Sequence, residues 1–237
     1  MPTKTPFPPT QCHSCAIRQG CVFGRLGEEE LALVEPQIRQ LVFPPGSTLI
    51  QEGKTSRSPL ILKLGTAFAY RRGLDGRSRP IGVIPRGNAF GIFGMFDCLN
   101  QATGVALTTV RVCEVPLSLL RDMSACGSNL LAQVIGAVVG NFAAMASWSE
   151  AMRLPGVKNQ LAYVIALLAD ACKSSVVELP SHMALAEMLA TRRETISRAL
   201  RSLEFEGALR ALERKRYEVY RGPLLSGLFQ APSEEVD

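Results

Sequence analysis

The sequence predicts an α+β protein: a sandwich or barrel of short strands, then a long apolar helix, then a winged helix-turn-helix. Three observations predict it. Between residues 40 and 120, short apolar or alternating runs are punctuated by glycines, the spacing of an all-β sandwich or barrel. From Met123 to Ser149 there is no charged residue. Two apolar-periodic segments and a basic hairpin then follow between 182 and 220, the pattern of a helix pair with a wing.

The composition narrows the function classes. Hydrophobic residues make up 47% of the 237 residues and charged residues 20%, which excludes a disordered, collagen-like or low-complexity chain. A net charge of +5 suits an anionic partner without demanding one. The start, MPTKTPFPPTQC, lacks the apolar core of a secretory signal, so the expectation is a cytoplasmic protein with reduced thiols. Seven cysteines do not pair off into a disulfide framework. Clustered ones in such a chain read as metal ligands or redox centres.

Residues 1–26 read as a Pro/Cys-rich arm, and Gly27 followed by EEEL reads as a helix start whose acids suit the helix dipole. Residues 27–122 read as the strand-rich domain. Its runs are STLI, LILKL, AFAY, IGVI and VALTTVRVCEV, with LDGR (74–77) as a hairpin turn.

Residues 117–154 read as one helix, stopped by Leu154-Pro155-Gly156. The uncharged stretch Met123–Ser149 is long enough to cross a bilayer, but Ser124, Ser128, Asn129, Gln133, Asn141 and Ser147 interrupt it; no membrane is expected, and residues 123–156 read as the dimerisation helix. Leu130, Val134, Ile135, Val138, Phe142 and Met145 recur at three- and four-residue steps beside Gly136, Gly140, Ala143 and Ala144. Such a seam can pack against a copy of itself. The expected dimerisation residues are Leu130, Val134, Val138, Phe142 and Met145, and the domain break falls near 150–157. Residues 157–228 read as the DNA-binding domain and 229–237 as a tail.

Residues 182–205 contain the helix pair. In the second helix Ile196, Leu200 and Leu203 face inward, while Arg193, Glu194, Ser197, Arg198 and Arg201 face outward. Arg198 can hold guanine O6 and N7 with two parallel bonds, Glu194 can accept from cytosine N4, and Ser197 can reach a base edge or phosphate. Ala190 stands where such a turn favours Gly. The hairpin GALRALERKRYEVY carries Arg214, Lys215 and Arg216 at its tip, placed for the DNA backbone.

Cys12, Cys15 and Cys21 form a C-x2-C-x5-C cluster. Three thiolates on a short loop can wrap one face of a zinc or iron–sulfur centre. By spacing alone the fourth ligand is any of Cys98, Cys113, Cys126 or Cys172.

Both constellations, with FPPGSTLIQEG (43–53), ETISR (194–198) and VCEVP (112–116), resemble the Crp/Fnr superfamily of bacterial regulators, and within it the Fnr-type oxygen sensors. The resemblance covers Cys12 to Tyr220. It implies a cyclic-nucleotide-binding-like β-roll (jelly roll), a dimerisation helix and a winged helix-turn-helix. It also implies a four-iron, four-sulfur ([4Fe-4S]) cluster on Cys12, Cys15, Cys21 and Cys113. The resemblance further implies a homodimer that binds a TTGAT-N4-ATCAA-like palindrome without oxygen, releases it when oxygen destroys the cluster, and works with RNA polymerase. The cyclic-AMP-binding branch has a Gly-Glu pair and a following Arg for the phosphate. The corresponding FGIFGMFDCLNQATGV (90–105) holds neither Glu nor Arg. Alternatives in the same fold are a sensor of haem-bound nitric oxide and a zinc/disulfide redox switch. An enzyme is not expected: His13 and His182 are the only histidines, and no P-loop or dinucleotide fingerprint is present.

Overall fold

The computed structural model describes residues 12–125, 129–226 and 228. Residues 1–11 of the arm and the tail 229–237 lie outside them. Contacts divide the chain into two units, Met1–Met145 and Ala146–Asp237. The division falls inside the long helix, upstream of the break that Pro155 suggests.

In the first unit Gly27 precedes α1 (Glu28–Val34). One oxygen of the Glu30 carboxylate accepts the Gly27 N–H (3.0 Å), and the other accepts the Asn129 N–H (3.0 Å). This single acid closes one helix start and ties down the approach to another. Eight strands follow: β1 (Arg39–Phe43), β2 (Thr48–Ile50), β3 (Leu60–Leu64), β4 (Ala67–Arg72), β5 (Ser78–Ile84), β6 (Ala89–Phe90), β7 (Thr103–Ala106) and β8 (Val110–Glu114).

They form two four-stranded antiparallel sheets, β1-β8-β3-β6 and β2-β7-β4-β5. The predicted β-roll is thus present. The run VALTTVRVCEV is two strands, not one. Leu107 and Thr108 donate their N–H groups to the Thr66 carbonyl, and the Thr108 hydroxyl accepts the Thr66 N–H (2.9 Å), which breaks the ladder there. LDGR joins β4 to β5 as expected, with Gly76 at φ +76°.

Phe43, Leu62, Ala67, Phe90, Val110 and Val112 belong to the core shared by the two sheets. A second core gathers the arm, α1, β3, β8 and the helices that follow, through Phe23, Leu31, Ile61, Leu120, Leu130 and Val134. Burying each of these large side chains stabilises the unit by about 1.5–3 kcal/mol.

The helix read over 117–154 is two helices, α2 (Leu117–Ala125) and α3 (Leu130–Arg153). Between them the sequence carries Gly127 and Ser128, both weaker helix formers than the residues around them; residues 126–128 lie outside the described ones. The seam reading also needs correction. Leu130 and Val134 are fully buried, with Ala137, in their own unit's second core, so they cannot also face a partner. The exposed apolar side chains of α3 are Leu131, Ile135, Val138, Val139, Phe142 and Met145. Inner and outer residues alternate as a 3.6-residue period requires.

The second unit contains α4 (Val157–Cys172), β9 (Val176–Glu178), α5 (His182–Met188), α6 (Arg193–Phe205), β10 (Leu209–Ala211), β11 (Arg216–Val219) and α7 (Arg221–Ser226). Its strands form one antiparallel sheet, β10-β11-β9.

Candidate sensor site and nucleic-acid interface

The second unit presents a helix-turn-helix with a wing. Ser181 starts α5 by accepting the Ala184 N–H (3.1 Å) on its hydroxyl. The turn to α6 passes through Ala190 in the left-handed region, φ +49°, the position where the sequence lacks the expected glycine. In α6, Ile196, Ala199, Leu200 and Leu203 are buried. That leaves Arg193, Glu194, Arg198 and Arg201 exposed and Ser197 half-buried, on one continuous face.

The wing is the β10–β11 hairpin. Arg210 pairs with Glu218 (2.6 Å) and Arg216 with Glu213 (2.9 Å). Arg214 and Lys215 at the exposed tip have no carboxylate partner among the described residues. They are the charges available to a polyanion.

In the first unit, Cys12, Cys15 and Cys21 come from the arm and Cys113 from β8, and all four line one cavity of about 20 Å³ with Ile38 and Ile61. Cys113 lies opposite Ile61 of β3. From Cys12 to Leu26 the arm is packed: Cys12, Val22, Phe23 and Leu26 are buried.

Two glycines that sequence reasoning missed seat the arm. At Gly24 a Cβ would run into the Arg18 carbonyl, and at Gly87 it would run into the Gly20 carbonyl. Val22 donates its N–H to the Gly87 carbonyl (3.2 Å). Both are close approaches between segments, which only the fold reveals. His13 points elsewhere, 3.5 Å from Glu35.

Burial pushes the Cys12 and Cys113 thiols each up to about 12 and raises Cys21 as well. Neighbouring thiols add to the rise at Cys12, while Lys63 opposes it at Cys113 and backbone N–H groups of Gly24 and Phe23 oppose it at Cys21. Without a metal these groups are therefore neutral thiols, and loading a centre must expel their protons.

Four convergent thiols, N–H donors on sulfur and a nearby cation suit an iron–sulfur cluster. The site is contracted, however. About 20 Å³ is room for roughly one water, and the thiols must spread to admit a cluster. Among the described residues, no three His, Cys, Asp or Glu side chains are spaced to hold a single metal ion.

Comparison with known proteins finds a family model for a stretch of each unit. The family "Cyclic nucleotide-binding domain" matches residues 40–125, and "Crp-like helix-turn-helix domain" matches residues 159–225. The chain belongs to the Crp/Fnr superfamily. It is 28% identical over 130 residues to the fumarate and nitrate reduction regulatory protein of Yersinia pestis, covering 54% of this chain and 52% of that protein. The chain thus spans about half the length of the curated relatives it matches.

The fold is shared with FixK2 from Bradyrhizobium japonicum (TM-score 0.66, 16% identity, 82% of this chain and 98% of that one). It is also shared with a CRP-family transcriptional regulator from Thermus thermophilus (TM-score 0.62, 19% identity, 80% and 97%).

In this Crp/Fnr chain the cavity between the roll and α3 is apolar. Its volume is about 250 Å³, and its walls include Phe90, Ile92, Gly104, Val138 and Phe142. The segment 90–105 contributes no charged side chain to that wall, and Arg71 is its only charged residue among the described ones. A phosphate there would lack the Glu–Arg pairing expected of a cyclic-nucleotide site.

Proposed function

We propose that this chain is an Fnr-like transcription regulator of the cytoplasm. In this reading it is a homodimer that binds a TTGAT-N4-ATCAA-like palindrome without oxygen and contacts RNA polymerase from the promoter. The observation that carries the reading is the convergence of Cys12, Cys15, Cys21 and Cys113 on one cavity, from segments far apart in the chain.

Those four residues would hold the [4Fe-4S] cluster, which when bound supplies a centre that oxygen destroys. The chain's own residues carry the signal. Cys12, Phe23 and Cys113 share one apolar core with Leu130, Val134 and Ala137 of α3. Spreading the thiols repacks that core, and a close-packed core rearranges in discrete steps. The outer face of α3, with Ile135, Val138, Phe142 and Met145, is the dimer seam. Paired recognition helices then lie one DNA turn apart, which matches a palindrome. Glu194, Ser197 and Arg198 read bases, while Arg193, Arg201 and Lys215 hold phosphates.

The test is an anaerobic absorbance spectrum with iron and sulfide assays, followed by air exposure while binding to the duplex is monitored. Absorption that bleaches as DNA is released supports the reading. Absence of iron and sulfide after anaerobic reconstitution sinks it. Stoichiometric zinc in a colourless protein would favour the zinc/disulfide switch. An unchanged DNA response in Cys12→Ser would move sensing to another small molecule.

A further inference from the structure

His182 is half-buried at the start of α5, and its Nδ1 lies 2.9 Å from the hydroxyl oxygen of Ser197 on α6. This bond joins the first helix of the helix-turn-helix to a side chain on the DNA-facing surface of the second. The imidazole also lines a cleft of about 280 Å³. From α6 the cleft receives Arg193, from the wing tip Arg214 and Lys215, and from β11 Tyr217; no carboxylate lines it among the described residues.

We propose that His182 is a positioning residue for DNA recognition, setting whether Ser197 presents a hydrogen-bond donor or an acceptor to DNA. The assignment rests on the reading of α6 as the recognition helix. A hydroxyl has one proton and two lone pairs. When Nδ1 is unprotonated, it accepts the Ser197 O–H, and only lone pairs of Ser197 face outward. When Nδ1 carries a proton, it donates to Ser197, and the Ser197 O–H turns outward. Only the second arrangement can donate to a phosphate oxygen, to guanine O6 or N7, or to thymine O4.

The cleft sets the direction. Arg193, Arg214 and Lys215 draw a DNA backbone toward the cleft that His182 lines. An acceptor arriving at Ser197 favours the arrangement in which Nδ1 donates and the Ser197 O–H faces outward. A neutral ring with its proton on Nδ1 is enough for this.

The experiment uses the full chain, purified anaerobically, and fluorescence anisotropy with the TTGAT-N4-ATCAA duplex at fixed pH and ionic strength. His182→Phe keeps a planar ring but removes the partner of the Ser197 hydroxyl, and it is expected to weaken binding several-fold, as is Ser197→Ala. His182→Asn keeps an amide near the Nδ1 position that can donate to Ser197, so it is expected to bind more tightly than His182→Phe. Adding His182→Phe to Ser197→Ala should bring no further loss.

A second readout is nitrogen NMR of the imidazole rings, with His13 as the one other histidine in the chain. With DNA bound, the proton of the His182 ring should sit on Nδ1. A His182→Phe protein that binds as tightly as wild type, or additive losses in the double variant, overturns the assignment while leaving α6 as the recognition helix. An Nδ1 that carries no proton in the complex overturns it equally. A folded wild type that binds no duplex overturns the recognition-helix reading and this assignment together.

Discussion

The DNA-reading surface and the cysteine site differ in how complete they are without a partner. The first is local: α5, α6 and the wing follow one another in the chain. Buried Ile196, Leu200 and Leu203 fix which residues of α6 face outward. The second draws Cys113 from a central strand and three thiols from the arm, and it closes on itself to about 20 Å³ with the Cys12 and Cys113 thiols protonated. A surface assembled by packing alone needs no ligand to take shape. A site whose shape depends on its ligand can report that ligand's presence, because binding and local folding share one free energy. This asymmetry is what a switch with a fixed output and a variable input requires.

The strongest test of the contrast is a pair of substitutions with opposite signatures. Cys113→Ser should lower cluster affinity by at least the roughly 10–100-fold that loss of an outer-shell partner costs at metal sites. It should leave the melting of the second unit unchanged. Arg198→Ala should weaken specific DNA binding by about 1–3 kcal/mol per half-site, with iron and sulfide content as in wild type. Iron loss in Arg198→Ala, or full iron in Cys113→Ser, would break the division of labour.

Ile135→Glu probes α3, the helix within which the two units divide. Ile135 is 54% exposed in the single chain, so the substitution leaves the unit's own core intact. In a dimer seam it would bury an unpaired carboxylate twice, and an uncompensated buried charge costs about 3–5 kcal/mol. Analytical ultracentrifugation should show a monomer with normal cluster content and weakened binding to the palindrome. A dimer of undiminished strength would place the seam elsewhere.

Legibility in the sequence follows the same contrast. The helix-turn-helix is readable because its apolar spacing, its basic residues and its wing lie within one stretch. The trio Cys12, Cys15 and Cys21 is readable for the same reason. Spacing cannot select the fourth thiol; only the resemblance of VCEVP does. The fold then separates the candidates: Cys113 joins the trio's cavity, Cys98 is exposed and Cys172 belongs to α4 of the other unit. Cys126 lies outside the described residues.

The two faces of α3 are not separable from the sequence. Apolar side chains surround that helix, and the choice between Val134 and Ile135 as the buried residue is made by the roll it packs against. Strands β1, β6 and β9 do not stand out as separate runs, since two- or three-residue ladders such as β6 and β9 carry almost no period.

A smaller effect is expected at the turn between α5 and α6. Ala190 holds φ +49°, a conformation that costs an L-residue with a Cβ about 1–2 kcal/mol. Ala190→Gly removes that strain but gives the unfolded chain more freedom, which offsets part of the gain. A net stabilisation of about 0.5 kcal/mol should raise the Tm of the second unit by roughly 2–4 °C. No change in DNA affinity is expected, since the backbone already adopts the glycine-like geometry. A lower Tm would show that the Ala190 methyl group contributes packing that outweighs the strain.

The smallest effect concerns pH. The Glu206 carboxylate accepts from Lys158 (2.9 Å) and from Ser202 (2.7 Å). The Lys158 bond, then the Ser202 bond, hold its pKa below the ordinary carboxylate value. A depressed folded pKa contributes stability that is fully present above the unfolded value, about 4.3, and is lost as pH falls through the folded value. Both side chains of the pair are about 40% exposed, so solvent screening limits the contribution to roughly 0.2–1 kcal/mol. Glu206→Gln should therefore melt slightly below wild type at pH 7, and the gap should narrow between about pH 5 and pH 3 as the wild-type carboxylate protonates. Added salt should shrink the same gap at neutral pH. A difference that survives at pH 3 would assign the effect to side-chain packing at the C-terminal end of α6 instead of to charge.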